Sequence, residues 1–503
     1  MTGPIMPGET QRAEGNRITI DPITRLEGHG KIEIFLDDDG NVANTYFQIP
    51  ELRGFEQFCI GRPVEELARI TPRLCGVCPG AHHMASAKAL DAVYKTKPTD
   101  TAVHLRRLFY EAHFVHSHIA HFFALAAPDF VLGPGAPKAS RNVLGVIDAV
   151  GLEIGGAVLK ARSDAQWIQE MLGGKATHPV NGLPGGVSRG MNEEEWEKVK
   201  TISAELKGFA KFTLESVLTP IVLENQDYLN VILNKDLYYH ESYYMGMVDK
   251  DNKVDFYDGT IKVVDPSGKE FANFHPDDYL EHIAEHVEPW SYLKFPFLKK
   301  VGWKGFEEGP ESGIFRAAPL ARLNVADGMT TPLAQKAYEA YVNTLGKPVH
   351  HTLAMHWARI IELVNSAEHL YDLAQSDLCI DQDLRAPLGE PGEGIGILEA
   401  PRGTLIHHYW ADSEGMTTDL NLIVATAHNN AAICMGTKKV ATALIKNGQV
   451  NDGLLNMVEM SFRAYDPCFA CATHNVPGEL PLAINIHNAD GTVRQTISHR
   501  GGK

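Results

Sequence analysis

From residue 17 to 50 apolar and polar residues alternate, in RITIDPITRLEGHGKIEIFL and again in NVANTYFQI after the turn residues DDDG. A period of two marks strands with one buried face, and Asp39–Gly40 is a hairpin signal. From about 64 to 230 the period changes. Apolar residues recur every three or four positions in PVEELARI, AHHMASAKALDAVY, TAVHLRRLFYEAHFVHSHIAHFFAL and EEEWEKVKTISAELKGFAKFTLESV, which predicts helices. Gly/Pro-rich loops interrupt them at 132–142 and 178–190. Strands return over 248–275, with VDFYDGTIKVVDPSGKEF as a hairpin insertion. Helices are expected at 333–343, 348–374, 439–447 and 452–464, and strands at TLIHHYW and NLIVATA. There is no internal repeat and no low-complexity linker. The pattern predicts one helix-dominated α+β body: a central bundle of long helices with small sheets and β-hairpins at its edges.

Composition narrows the partners. The 503 residues carry 44% apolar and 22% charged side chains, values of a soluble globular protein, and a net charge of -17. That dispersed negative charge argues against nucleic acid or an anionic membrane as the main partner. The start, MTGPIMPGETQRAEGN, lacks the apolar run of a secretory signal, and no stretch approaches the ~20 apolar residues of a membrane span. The expectation is a cytoplasmic protein.

Seven cysteines, an odd and sparse set, do not form a disulfide framework. Four lie in two Cys-x-x-Cys pairs: Cys75 and Cys78 in RLCGVCPGAHH, Cys468 and Cys471 in DPCFACATH. Each pair puts two sulfurs on one side of a turn, so together they allow an all-thiolate site. Zinc ribbons bring such pairs together from ~15–20 residues apart, whereas 390 positions separate Cys78 from Cys468. On thiolate chemistry alone, structural zinc and a catalytic soft-metal centre remain open side by side. A thioredoxin-like redox pair would leave the second pair unexplained. The neighbourhood favours catalysis: RLEGH (25–29), RGFE (53–56), EAPRG (399–403) and Asp466 gather acids and guanidinium groups, which proton handling needs and a structural zinc does not.

TRLEGHGKIEI, RGFEQFCIGR, RLCGVCPGAHH, HPVNGLPGG, GIGILEAPRG and DPCFACATH, in this order and spanning nearly the whole chain, resemble the large subunit of nickel–iron hydrogenases. CPGAHHMASAKALD and HSHIAHFFALAAPDF look most like the cytoplasmic group, with its heterodisulfide-reductase-associated (methyl-viologen-reducing), deazaflavin-reducing and NAD-reducing enzymes. The resemblance implies a Ni–Fe centre buried between the N- and C-terminal motifs. Cys75 and Cys468 would bind nickel terminally, Cys78 and Cys471 would bridge nickel to iron, and the iron would carry carbonyl and cyanide ligands. Glu27 matches the proton-transfer glutamate; by itself it would read as a surface acid in a turn. Arg402 matches the arginine over the open metal position, with Asp466 as its ion partner. His82 matches the histidine bonded to a bridging cysteine, and Thr426 falls where a hydroxyl donor to a cyanide is expected, although Ala425 stands where the family often has proline. Glu56, the backbone carbonyl of Leu422 and His474 match a second site for magnesium or iron; alone, Glu56 would read as a helix-start carboxylate.

Three features depart from the pattern or need no cofactor. Ser117 stands where many members carry an aspartate facing the arginine, so Arg402 is expected to rest mainly on Asp466. The row His113, His116, His118 and His121 reads as a polar seam rather than a metal site, and His83 as a packing residue. GEGIG (392–396) lacks the strand–GxGxxG–helix context of a dinucleotide loop.

The expected activity is the reversible heterolytic cleavage of H2 to protons and electrons. No further cysteine set could hold clusters, so an iron–sulfur small subunit is implied, with further electron-transfer subunits of heterodisulfide-reductase or flavin type. The resemblance also implies a maturation protease that cuts after His474, making 1–474 the hydrogenase domain and 475–503 a cleaved C-terminal peptide. The competing readings are a hydrogen-sensing or otherwise non-turnover relative and a structural zinc protein.

Overall fold

The computed structural model describes residues 9–51, 54–473, 482–488 and 493–499. The alternating stretch near the start forms β1 (Arg17–Ile20), β2 (Lys31–Leu36) and β3 (Val42–Gln48), an antiparallel meander. Its second turn is the one DDDG predicts, with Gly40 at φ +79°, a conformation that only glycine adopts freely. Between β1 and β2 runs the loop carrying Glu27.

The long helices are α1 (Pro79–Val93), α2 (Asp100–Ile119), α3 (Leu152–Gly173), α4 (Glu193–Phe212), α5 (Pro332–Leu345) and α6 (Met355–Leu373). Local chemistry starts them: Thr99 accepts the Ala102 N–H ahead of α2, and Asn192 with Glu195 forms a capping box at α4. α2 packs between α3 and α6, and α6 also meets α4 and α5. Both α2 and α6 are buried along almost their whole length, so they are the axis of the bundle. A four-stranded sheet at the edge is built from β4 (Tyr243–Val248), β5 (Thr260–Val264), β6 (Glu270–Phe274) and the two-residue strand Phe315–Arg316. A second antiparallel meander follows: β7 (Glu393–Ala400), β8 (Gly403–Ala411) and β9 (Thr417–Ile423). Helices α7 (Asn430–Leu444) and α8 (Asp452–Arg463) close the body.

Several elements differ from the sequence expectation. Helix 101–125 stays α-helical only to Ile119 and then widens into π-type turns over Ala120–Ala126; α4 does the same over Thr213–Leu223. Both stretches lie against or contain a proline, Pro128 or Pro220, whose missing N–H and bulky ring forbid the ordinary bond to residue i−4. The helix expected from 348 begins at Met355, because Val349 and Thr352 spend their N–H groups on Asn324 and Tyr238. Helix 439–447 starts at Asn430 and leaves the helix at Ile445, ahead of left-handed Asn447 and Gly448. The hairpin expected over 254–271 lies at 260–274, turning where Asp265 accepts the Ser267 and Lys269 N–H groups. GEGIG is part of a strand. A Cβ on Gly394 would lie 2.2 Å from the Val93 nitrogen, and one on Gly396 2.1 Å from the Ala85 carbonyl, so these glycines let α1 lie directly on the backbone of β7.

Candidate metal centre

Cys78 immediately precedes α1, with Pro79 filling the first helical position, where an N–H would have no partner. Cys75 is extended, and its sulfur accepts the N–H groups of Val77 (3.1 Å) and Cys78 (3.2 Å). Cys468 caps, and Cys471 lies within, a single helical turn, Phe469–Ala472, just after α8. The fold brings the two pairs face to face: Cys75 Sγ lies 3.1 Å from Cys468 Sγ, Cys78 Sγ 3.7 Å from Cys471 Sγ, and Cys468 Sγ 2.9 Å from Cys471 Sγ. All four sulfurs are buried and fall within 4.8 Å of one another, the only such cluster of three or more potential ligands among the described residues. A donor set of four buried thiols fits a soft metal.

Glu27 is stitched to this cluster through its backbone. Glu27 and Cys468 form a parallel β-bridge, in which the Phe469 N–H donates to the Glu27 carbonyl (3.1 Å). Its carboxylate then sits 3.0 Å from Cys468 Sγ and accepts the Ala470 N–H at 3.1 Å. Burial raises its pKa, with the bond to Cys468 opposing. That is the environment of a carboxyl that holds its proton more tightly than an exposed one.

Arg402 forms an ion pair with Asp466 at 2.9 Å, donates from Nε to the Asp466 carbonyl at 2.7 Å, and reaches Ser117 Oγ at 3.3 Å. Asp466 is therefore its charged partner and Ser117 a neutral one. Burial works against the guanidinium charge, yet Asp466 and the thiolates raise its pKa. A small buried cavity is lined by Arg402, Thr426, His82, Cys78, Cys468 and Cys471, together with apolar neighbours. His82 Nε2 lies 3.4 Å from Cys471 Sγ. Thr426 is just past the end of β9 rather than within a strand, and its Oγ1 accepts the Cys468 N–H at 3.0 Å.

The residues of the expected second site are partly assembled. Glu56 Oε1 accepts the Leu422 N–H at 3.2 Å and lies 3.4 Å from Lys294 Nζ; burial pushes its pKa up to about 7 against the pull of Lys294. His474 lies outside the described residues. Lys294, itself 3.3 Å from Glu285, is a site residue that no motif in the sequence marks.

The histidine row separates. His113 faces Gln169, His118 faces Glu362 and His121 donates from Nε2 to the Arg463 carbonyl, so these rings do not converge on one point. His83 donates from Nδ1 to the Ala68 carbonyl, and its Nε2 accepts the Gly182 N–H. It packs, as expected.

A model described as nickel-dependent hydrogenase matches residues 53–142 and 230–474, and one described as HoxL-like matches 17–52. The chain belongs to the nickel-dependent hydrogenase family. It is 47% identical over 484 residues to an F420-non-reducing hydrogenase iron–sulfur subunit of Archaeoglobus profundus, covering 96% of this chain and 99% of the relative. It is also 36% identical over 499 residues to the beta subunit of the NAD-reducing hydrogenase HoxS of Cupriavidus necator, covering 94% and 98%. Among solved structures, an NAD+-reducing [NiFe]-hydrogenase in the H2-reduced state matches with a TM-score of 0.83 at 36% identity, over 92% of this chain and 100% of that one. This hydrogenase chain is thus the large subunit of a nickel–iron enzyme, an oxidoreductase acting on H2, and its cysteine group fits the Ni–Fe centre. Among the described residues no helix is long and apolar enough to cross a membrane.

Proposed function

We propose that this large subunit cleaves H2 reversibly into two protons and two electrons, with Glu27 as the proton acceptor and Arg402 as the charged group facing the cavity beside the thiols. When bound, the centre would polarise H2 and take up its electrons, and Cys75, Cys78, Cys468 and Cys471 would hold it. The chain's own residues do the rest. Glu27, 3.0 Å from Cys468 Sγ, takes or returns a proton at that sulfur, and burial raises its affinity for that proton. Arg402, fixed through Asp466, presents a permanent planar charge to the cavity. Thr426 and His82 offer hydrogen bonds to a cyanide and to the Cys471 sulfur. Glu56, the Leu422 carbonyl and His474 would hold magnesium or iron at a second site, a carboxylate, a carbonyl and an imidazole being ligands that suit either.

The electrons leave through an iron–sulfur small subunit, since the described residues hold no second cluster of cysteines, histidines and acids beyond the four thiols. Further subunits of the heterodisulfide-reductase or flavin type receive them in the cytoplasm, in keeping with relatives named as F420-non-reducing and NAD-reducing hydrogenase subunits. Residues 475–503 are a maturation peptide that a protease removes after His474. The intact mass of active enzyme should lack them; full activity with the peptide retained would end that assignment.

The observation that carries the reading is the meeting of both buried cysteine pairs with buried Arg402 and half-buried Glu27. Infrared spectra of the purified enzyme should show carbonyl and cyanide bands alongside nickel and iron. Stoichiometric zinc with neither nickel nor such bands would replace this reading with a structural zinc protein. Glu27→Gln should lower turnover by about 10²–10⁴-fold while leaving those bands in place; near-normal turnover would remove Glu27 from the proton path. A sensor would keep the bands and the metals but turn over little H2 even with Glu27 intact.

A further inference from the structure

Behind the Cys471 side of the centre a second row of polar side chains leads away from the metal. His82 Nδ1 lies 3.1 Å from His407 Nε2, and His407 Nδ1 lies 2.6 Å from Tyr409 Oη. The Tyr409 hydroxyl also lies 2.9 Å from Ser86 Oγ, placed to donate to it. All four side chains are buried. Two elements build the row. His82 and Ser86 stand one turn apart on α1, and His407 and Tyr409 two positions apart on β8, so each pair shares a face. The side-chain-free Gly394 and Gly396 let α1 settle onto the same sheet, which brings the two pairs within reach.

A neutral imidazole has one donor and one acceptor nitrogen, so fixing one end of such a row fixes every link. The phenol has one proton to give, to His407 Nδ1 at 2.6 Å or to Ser86 Oγ at 2.9 Å, and the first choice makes His407 Nδ1 an acceptor. His407 must then donate from Nε2 to His82 Nδ1, and His82 must donate from Nε2 to sulfur. A metal-bound thiolate can only accept, so this polarity is the one the centre requires. Burial raises the Tyr409 pKa, which keeps its hydroxyl proton in place.

We propose that Tyr409 and His407 are positioning residues that lock the tautomer of His82, so that a hydrogen bond is always donated to the Cys471 sulfur. The bond withdraws electron density from a sulfur shared with iron and so tunes the iron's ligands. This rests on the Ni–Fe reading above, and the test separates the two.

In the complete enzyme, Tyr409→Phe should shift the carbonyl and cyanide bands to lower wavenumber, because a sulfur without its donor pushes more density onto iron. Ser86→Ala removes a neighbouring hydroxyl but not the donor, and should leave the bands where they are. Nitrogen NMR of the full chain labelled with 15N-histidine should find both His82 and His407 protonated at Nε2 in the wild type, and His407 losing that preference in Tyr409→Phe. Unmoved bands in Tyr409→Phe, equal shifts in both variants, or a wild-type His82 protonated at Nδ1 would each overturn the proposal. If the wild type shows no such bands, the reading of the centre fails, and the nitrogen spectra still decide the row by themselves.

Discussion

The two cysteine pairs share a spacing and little else. Cys75 and Cys78 are held by their own neighbourhood: the Cys75 sulfur accepts two N–H groups of its own turn, and Cys78 leads straight into a fifteen-residue helix. Cys468 and Cys471 sit on a four-residue turn, far too short to stand alone. Everything that fixes it comes from elsewhere. Glu27 bridges its backbone, Thr426 accepts its first N–H, Arg402 and Arg359 bond the carbonyls of Asp466 and Ala464, and Asp466 is held in a left-handed conformation at φ +55°. The first pair is a local motif, and the second exists only in the finished fold. A centre shared between them can therefore close only once the distant parts of the chain have assembled.

The sharpest way to break this contrast is at Asp129. It joins Arg25 of the Glu27 loop (2.6 Å) to Arg463 at the end of α8 (2.7 Å), with Asn456 bonded to both Arg25 and Asp129 and with Glu459 against Arg463. Although burial opposes its charge, the two arginines pull its pKa down to about 2. Asp129→Asn leaves two buried guanidinium groups against one carboxylate and should cost about 3–5 kcal/mol in denaturant unfolding. Hydrogen exchange should quicken over 464–473 and stay slow over 79–93; uniform quickening would mean the pairs are not independently supported.

The local pair is probed from beneath, through His83. Burial lowers its pKa to about 4 from an ordinary 6.5, so the unfolded chain takes up a proton that the native chain refuses. Stability from this group is present above about pH 6.5 and is lost as the pH falls towards 4. At pH 5 the loss is about 2 kcal/mol, at 1.36 kcal/mol per pKa unit. His83→Gln should be less stable at pH 7.5, with the gap to wild type narrowing by that amount at pH 5. A gap that stays constant between the two pH values would mean that folding does not change the proton affinity of His83.

The smallest effect is expected at Ser117, whose hydroxyl is the long 3.3 Å neighbour of Arg402. Ser117→Ala should cost about 0.5–1.5 kcal/mol and leave the infrared bands of the centre unchanged, because Asp466 carries the ion pair. Loss of activity equal to that of Asp466→Asn would show that the serine is more than a brace.

The sequence displayed unevenly what the structure contains. Helices α1, α2, α4 and α8 and the hairpin at Asp39–Gly40 follow from periodicity and turn residues, because their signals are local. The two cysteine pairs, Glu27 and Arg402 stand in motifs, and the fold brings them together. Strand β7 was hidden because its glycines, placed for the close approach of α1, dilute the strand pattern. Lys294 and Asp129 left no trace, since each has a partner more than 200 positions away that local spacing does not reveal, and Tyr409 sits two positions from His407 while that pair's link to His82 spans 325.

The bridge between Glu27 and Cys468 has a consequence for motion. An acid merely packed against a sulfur would drift relative to it whenever either segment breathed, and proton transfer is steeply sensitive to such drift. Here the two residues belong to hydrogen-bonded neighbouring backbones, so displacements of one are shared by the other. The Glu27–Cys468 gap, which the proposed proton transfer would cross, is held by that shared backbone.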